Sequence, residues 1–351
     1  MQEYMFAGTY TATKSRGIYG FAVKDGLVYE PELLAERVSP TYLCVNRDQT
    51  VLYAVDEPEE GAGTLGSYQI IKDENGLVTG LSLLNNAVAP SSGICHVVLS
   101  PDERFLLCTA YFDAKVSVWR IEQDGSIGEL TDRIQRVGSG PNPVRQPCAH
   151  AHSVTFAPDG SFLYVCDLGT DDLAAYRLTE EGRLVHLPEY SVHVPGGYGP
   201  RHMTFSPDGQ WCYVAAEIVD HLLVYRYQNG KMDLEQDLLA TKVQDPAYTS
   251  AAVRVTKDGQ FVYISNRGEE TVTAYEVQPD GELIELQNLP SMGRTPREFT
   301  LSLDETMAFT GNQDEDTVGV YSRDAKTGLL TPCGCIDTIG QPVCLLPIRI
   351  D

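Results

Sequence analysis

No apolar run in this chain approaches the roughly 20 residues that a helix needs to cross a bilayer, and almost no long stretch carries a helical period. Basic residues are scarce. The chain has 26 Lys and Arg against 49 Asp and Glu, a formal net charge of −23. That balance argues against nucleic acid and anionic membrane as partners, because both need a basic surface. Disulfide economy is missing too: the nine cysteines are an odd number, and most sit in strand-like sequence, as Cys108, Cys166 and Cys212 do. Buried thiols in a reducing cytoplasm fit that pattern better than a disulfide frame. Cys333-x-Cys335 is the one close pair, and without a second pair or a histidine cluster it reads as plain strand sequence. The opening Met1-Gln2-Glu3-Tyr4 lacks the basic and apolar regions of a signal peptide, so a cytoplasmic location is expected. No Gly-x-Ser-x-Gly elbow is present, which disfavours a covalent serine route.

What the chain does have is a repeat. Ala149-His150-Ala151-His152-Ser153-Val154-Thr155-Phe156 leads into Pro158-Asp159-Gly160, and Phe162-Leu163-Tyr164-Val165-Cys166-Asp167 leads out. Pro-Asp-Gly is turn chemistry, since Asp bonds its own backbone and Gly supplies positive φ. The flanks are rich in Val, Phe and Tyr and alternate as half-buried strands do. The same unit recurs around Asp48, Asp102, Asp159, Asp208, Asp258 and Asp304, at spacings of 54, 57, 49, 50 and 46 residues. Each copy runs on into a second hairpin, such as Leu222-Leu223-Val224-Tyr225 before Asn229-Gly230. Four strands per period of about fifty residues is the signature of a propeller blade. The two chain ends leave strands for one further blade, which would close the ring and remove its edges. An all-β, seven-bladed propeller with four antiparallel strands per blade is therefore predicted. It forms a single domain over residues 1–351, closed by N- and C-terminal strands in one blade.

Two columns of residues converge at the open end of the first hairpin. Seven residues before each turn aspartate stand Thr41, Cys95, His152, Arg201, Ala251 and Arg297. Eight and nine residues after it stand Asp56-Glu57, Ala110-Tyr111, Asp167-Leu168, Ala216-Glu217, Asn266-Arg267 and Asn312-Gln313. If the first strand of each blade lines the central channel, these columns ring its mouth. His152, Arg201, Glu217, Arg267 and Arg297 then face one concavity, with Asp167 and Asn312 as polar neighbours. Arginine suits bidentate recognition of carboxylate or phosphate. Histidine and glutamate are the usual proton-transfer groups. A small, oxygen-rich anion is the expected ligand, with His96, His150 and Tyr111 as further binding residues. Asp56 reads as a tie between blades. His150 and His202 fall on the opposite strand side from their neighbours and can simply pack between sheets. Long Pro- and Gly-rich loops, 138–147 and 194–200, deliver the chain into His150 and Arg201.

The markers Ala7-Gly8-Thr9-Tyr10, His150-Ala151-His152, Asp167-Leu168-Gly169, Gly199-Pro200-Arg201-His202, Ser265-Asn266-Arg267-Gly268 and Gln341-Pro342-Val343-Cys344 make the chain resemble a known family. It is the seven-bladed lactonase family of the bacterial propeller-type 6-phosphogluconolactonases and the fungal carboxymuconate cyclase. The resemblance spans nearly the whole chain. It implies that His152, Arg201, Glu217 and Arg267 correspond to the residues proposed to act in the cyclase. It further implies hydrolysis of a sugar lactone, foremost 6-phosphoglucono-1,5-lactone. Ala110-Tyr111 stands where the family usually has Asn-Tyr, and Ala216-Glu217 where it has Asn-Glu; both touch the rim. A cycloisomerase acting on a muconate-like dicarboxylate, or a non-catalytic binding propeller, are the alternatives. No cofactor is expected, and no metal, since three arginines would repel a cation. A monomer or weak homo-oligomer is expected.

Overall fold

The computed structural model describes residues 2–58 and 61–349. Six four-stranded blades follow the repeat in order. Their innermost strands are Tyr42–Val45, Ile94–Leu99, Ala151–Phe156, Pro200–Phe205, Thr249–Val255 and Pro296–Leu301. The seventh blade is made from both ends. Pro342–Arg349 is its innermost strand and pairs antiparallel with Gln2–Thr9, which pairs with Gly17–Lys24 and, through it, Glu32–Glu36. Each innermost strand touches that of the next blade, and Pro342–Arg349 touches Tyr42–Val45, so the ring is closed. Among the described residues the one helical element is a single 3-10 turn, Pro188–Tyr190.

The repeat is legible in its bonds. Asp102, Asp208, Asp258 and Asp304 accept a backbone N–H two residues on and a hydroxyl two residues back, from Ser100, Ser206, Thr256 and Ser302. The tyrosine five residues after the aspartate ties its blade to the next. Tyr53, Tyr164 and Tyr263 donate to the carbonyls of Gly125, Gly230 and Gly328 at 3.0, 2.9 and 2.7 Å. Between blades, apolar faces of second and third strands interlock into successive clusters, for example Cys166, Leu173, Val214 and Leu223. That burial supplies the dominant stabilising term of such a fold.

One irregularity positions the site. In blades 2 to 7 the innermost strand carries a β-bulge near the channel mouth. The extra residues are Cys95, His152, Arg201, Ala251–Ala252, Arg297 and Val343. A bulge sets two residues against one and re-aims their side chains. Apart from Thr41 in blade 1, the column read seven residues before the turn aspartate is thus a column of bulges.

Candidate active site

Glu217 is the hub of the mouth. It follows the second strand of blade 4, and its carboxylate is about 95% buried. Arg201, from the bulge of the same blade, brings Nε to 3.0 Å from its Oε2. That contact lacks hydrogen-bond alignment, so Arg201 Nε has no hydrogen-bond partner among the described residues. Arg267 of blade 5 reaches Oε2 at 2.8 Å, and Arg145 pairs with Oε1. The arginines are held from behind: Arg201 donates to Ala251 O at 2.9 Å and Arg267 to Ser250 O at 3.0 Å. Burial alone would raise the Glu217 pKa, but Arg267, Arg201, His152 and Arg145 together hold it well below the usual carboxylate range.

Arg145 is the member that strand register could not reveal. It rides the 138–147 loop, where Asn142 Oδ1 accepts the Val144 and Arg145 N–H groups at 3.1 and 3.0 Å. Gln146, fully buried, pins the loop by donating to Leu168 O and Asp171 Oδ1 at 2.8 and 2.7 Å. Close packing under the loop requires Gly169, since a Cβ there would lie 1.9 Å from Cys148 O. The Pro- and Gly-rich composition of the loop was the available signal.

A second carboxylate, Glu57, stands at the same place in blade 1, nine residues after its turn aspartate. Tyr10 Oη and Thr41 Oγ1 donate to its Oε2 at 2.9 and 3.1 Å. Arg297 stacks over the Tyr10 ring at 5.7 Å and donates to its hydroxyl at 3.4 Å. Among the described residues no carboxylate lies within 4.0 Å of Arg297. The mouth therefore sets four arginines (145, 201, 267 and 297) against two carboxylates, a cationic site in a chain of net charge −23.

Beside the arginines runs a column of rings. His150 stacks on Tyr111 at 4.2 Å, and Tyr111 meets His152 edge-on at 5.6 Å. His152 lies 5.3 Å from His202, and His202 lies 5.6 Å from His96, which packs on Tyr42 at 4.3 Å. Burial, with the Arg201 charge next, holds His152 and His202 well below the ordinary imidazole range. Burial and then Arg254 bring His96 down to about 3. All three rings are neutral near pH 7. His152 Nδ1, His96 Nδ1 and His202 Nε2 are buried without a partner among the described residues, so the column carries unsatisfied polar nitrogens.

The structure thus brings together His152, Arg201, Glu217, Arg267 and Arg297, with Tyr111 and His150 at the rim and His96 deeper. It adds Arg145, Glu57, Tyr10 and His202. Simple alternation placed His202 between sheets; the bulge at Arg201 shifts the phase and turns it into the column. Asp167 and Asn312, expected at the mouth, lie between blades instead. Asp167 is fully buried, accepts from Arg136 Nε at 3.0 Å and from the His150 N–H at 2.8 Å, and ties blades 2 and 3. Asn312 donates to Ser291 O at 3.0 Å and Thr317 Oγ1 at 3.2 Å. Period two explains both: residues eight after the turn aspartate pack between blades, and residues nine after it reach the mouth. Asp56 behaves like them, pairing with Arg37 and Thr64.

Cavities of about 980 Å³ beside Arg145, Ile218 and Asp245, and about 510 Å³ beside Tyr10, Glu57 and Phe112, flank the mouth. A third, about 380 Å³, lies at the outer rim against Cys333 and Cys335, away from the ring. Among the described residues, no three His, Cys, Asp or Glu side chains are grouped to hold a metal ion. Nor is any helix long and apolar enough to cross a membrane.

The family model described as "Lactonase, 7-bladed beta-propeller" matches residues 4–347. The chain belongs to that lactonase family. It is 31% identical to a 6-phosphogluconolactonase of Bacillus subtilis (strain 168), over 98% of each chain. A solved Lactobacillus plantarum protein superimposes on this lactonase-family propeller with a TM-score of 0.91 at 30% identity, covering 99% of this chain and 100% of that one. A periplasmic gluconolactonase of Pseudomonas aeruginosa gives 0.90 at 26% identity over 100% of both.

Proposed function

We propose that this propeller hydrolyses a phosphorylated sugar lactone, 6-phosphoglucono-1,5-lactone to 6-phosphogluconate, in the cytoplasmic pentose phosphate pathway. The observation that carries the reading is the arginine excess at the mouth, four cations against two carboxylates, with Arg297 lacking a carboxylate partner among the described residues. The relative named 6-phosphogluconolactonase supports the same substrate.

In this reading Arg297, which has no carboxylate partner among the described residues, and Arg145, the most exposed of the three arginines around Glu217, grip the phosphate and the lactone carbonyl. Arg201 and Arg267 add positive charge where the oxyanion develops. Such preorganised charge is usually the largest catalytic term, and loss of one donor reduces kcat by about 10²–10³. Water attacks the carbonyl carbon and its proton passes to His152. His152 is neutral, its Nε2 makes no hydrogen bond among the described residues and is not sealed from solvent, and the nearby Glu217 charge favours the imidazolium that forms. Glu217 itself is a poor base, because the three guanidinium charges around it hold it ionised.

The test is stopped-flow hydrolysis of freshly generated 6-phosphogluconolactone beside gluconolactone and carboxymuconate, with uncatalysed opening subtracted. Strong acceleration of the phosphorylated lactone, lost in Arg297→Ala, supports the reading. Preference for gluconolactone or carboxymuconate overturns it, the latter in favour of a cycloisomerase. Inactivity on all three leaves the binding alternative.

A further inference from the structure

Glu57 and Glu217 occupy matching positions three blades apart, and their surroundings differ in kind. Glu217 is saturated by guanidinium groups. Glu57 meets neutral hydroxyls, and both of them, from Tyr10 and Thr41, go to one oxygen, Oε2. Its Oε1 makes no hydrogen bond among the described residues and is not sealed from solvent. Glu57 lines the cavity of about 510 Å³ that opens beside Tyr10 and Phe112. One oxygen is thus fixed as an acceptor, and the other is left accessible and without a partner among the described residues.

We propose that Glu57 is a second proton-transferring residue of this site, giving a proton from Oε1 to the ring oxygen as the lactone opens. The inference rests on the lactonase reading above. The water oxygen bonds the carbonyl carbon and its proton moves to His152. The bond from the carbonyl carbon to the ring oxygen breaks. The Glu57 proton goes to that oxygen, which departs as a hydroxyl still tethered to the sugar chain. The imidazolium and the Glu57 carboxylate then exchange the proton through solvent, and both groups return to their starting forms.

Electrostatics support the geometry. Burial raises the Glu57 pKa and outweighs Arg297, Tyr10 and Thr41, which lower it. The Glu217 pKa is held well below its usual value. Two carboxyl groups whose environments drive them apart are the usual mark of an acid and a fixed anion. The charged and titratable groups facing Glu57 are Arg297, Tyr10 and Cys95. Burial raises both the Tyr10 phenol, to about 12, and the Cys95 thiol, to about 12, so neither ionises near neutrality.

Glu57→Gln tests the assignment, because its amide oxygen still accepts from Tyr10 and Thr41 while its amide nitrogen cannot serve as an acid. The expected result is a fall in kcat of about 10²-fold or more, within the usual range for a general acid. Calorimetric affinity for 6-phosphogluconate should stay within about twofold of wild type, and the thermal midpoint should be unchanged. The alkaline limb of the wild-type kcat/KM profile, where a required acid ionises, should vanish in Glu57→Gln and return, at reduced rate, in Glu57→Asp. An active wild type with Glu57→Gln at half its kcat or better, or with the alkaline limb retained, overturns this inference alone. A wild type that opens no lactone overturns the lactonase reading and this inference with it.

Discussion

Replacing Glu217 by glutamine leaves Arg145, Arg201 and Arg267 facing one another without their common counter-charge. Two of those guanidinium groups are well enclosed, with side chains 3% and 13% exposed, while Arg145 at 35% is partly solvated. Removing one partner of a buried ion pair typically costs about 3–5 kcal/mol, mostly from the charge left behind. For 351 residues, an unfolding entropy of about 2.1 cal/mol/K per residue converts that into a fall in Tm of about 4–7 °C. The freed arginines then form an anion trap. Phosphate at about 100 times its dissociation constant returns about 2.7 kcal/mol, half of the loss or more. Differential scanning fluorimetry with and without phosphate, on wild type and Glu217→Gln, measures both effects. A variant within 1–2 °C of wild type, or one whose Tm ignores phosphate, would refute the view that Glu217 organises three arginines into a preformed anion site.

Arg297→Ala removes a cation without orphaning a carboxylate in direct contact. It should raise KM for the phosphorylated lactone by about 10- to 100-fold, the range of one charged hydrogen bond, and leave the thermal midpoint close to wild type. Acid pH should weaken the fold through its buried rings. The folded-state pKa of His96 is lowered to about 3, so the unfolded chain takes up the proton first. Stability is then full above about pH 6.5 and falls by about 2 kcal/mol for this residue by pH 5. Urea midpoints at pH 7 and 5 on wild type and His96→Phe read that term; equal pH slopes would contradict it. Ending the chain before Pro342 removes the innermost strand of the closing blade, including the buried Val343, Cys344, Leu345 and Ile348. At about 1.5–3 kcal/mol per buried side chain the loss rivals the whole stability of a domain. The truncated protein should expose apolar surface to a dye or aggregate, and a monomeric, cooperatively melting product would count against ring closure by this strand.

The repeat was readable because each of its parts acts locally. Turn aspartates bind their own backbone, β-branched and aromatic residues alternate with period two, and the spacing of about fifty residues counts the blades. Hairpin geometry then brings strand ends together without any knowledge of the rest of the molecule. That was enough to bring His152, Arg201, Glu217, Arg267 and Arg297 to one rim. The direction in which each side chain points required more. Asp167 and Asn312 sit one residue from mouth positions, and a one-residue step turns a strand side chain to the other face. There they found Arg136 and Ser291 between the blades.

Tertiary structure alone decided the remainder. A bulge changes the phase of alternation, and its place depends on how the innermost strand meets its neighbour, so His202 enters the ring column against a simple period-two reading. Arg145 belongs to a loop with no repeating register. Its arrival at Glu217 depends on Gln146 finding Leu168 and Asp171, 22 and 25 residues away in sequence. Tyr10 reaches Glu57, 47 residues on, because ring closure sets the last blade beside the first. Sequence fixes which blades form and in what order, since those interactions are short-range. The electrostatic character of each mouth residue is settled by neighbours from other blades, whose identity only the closed ring determines.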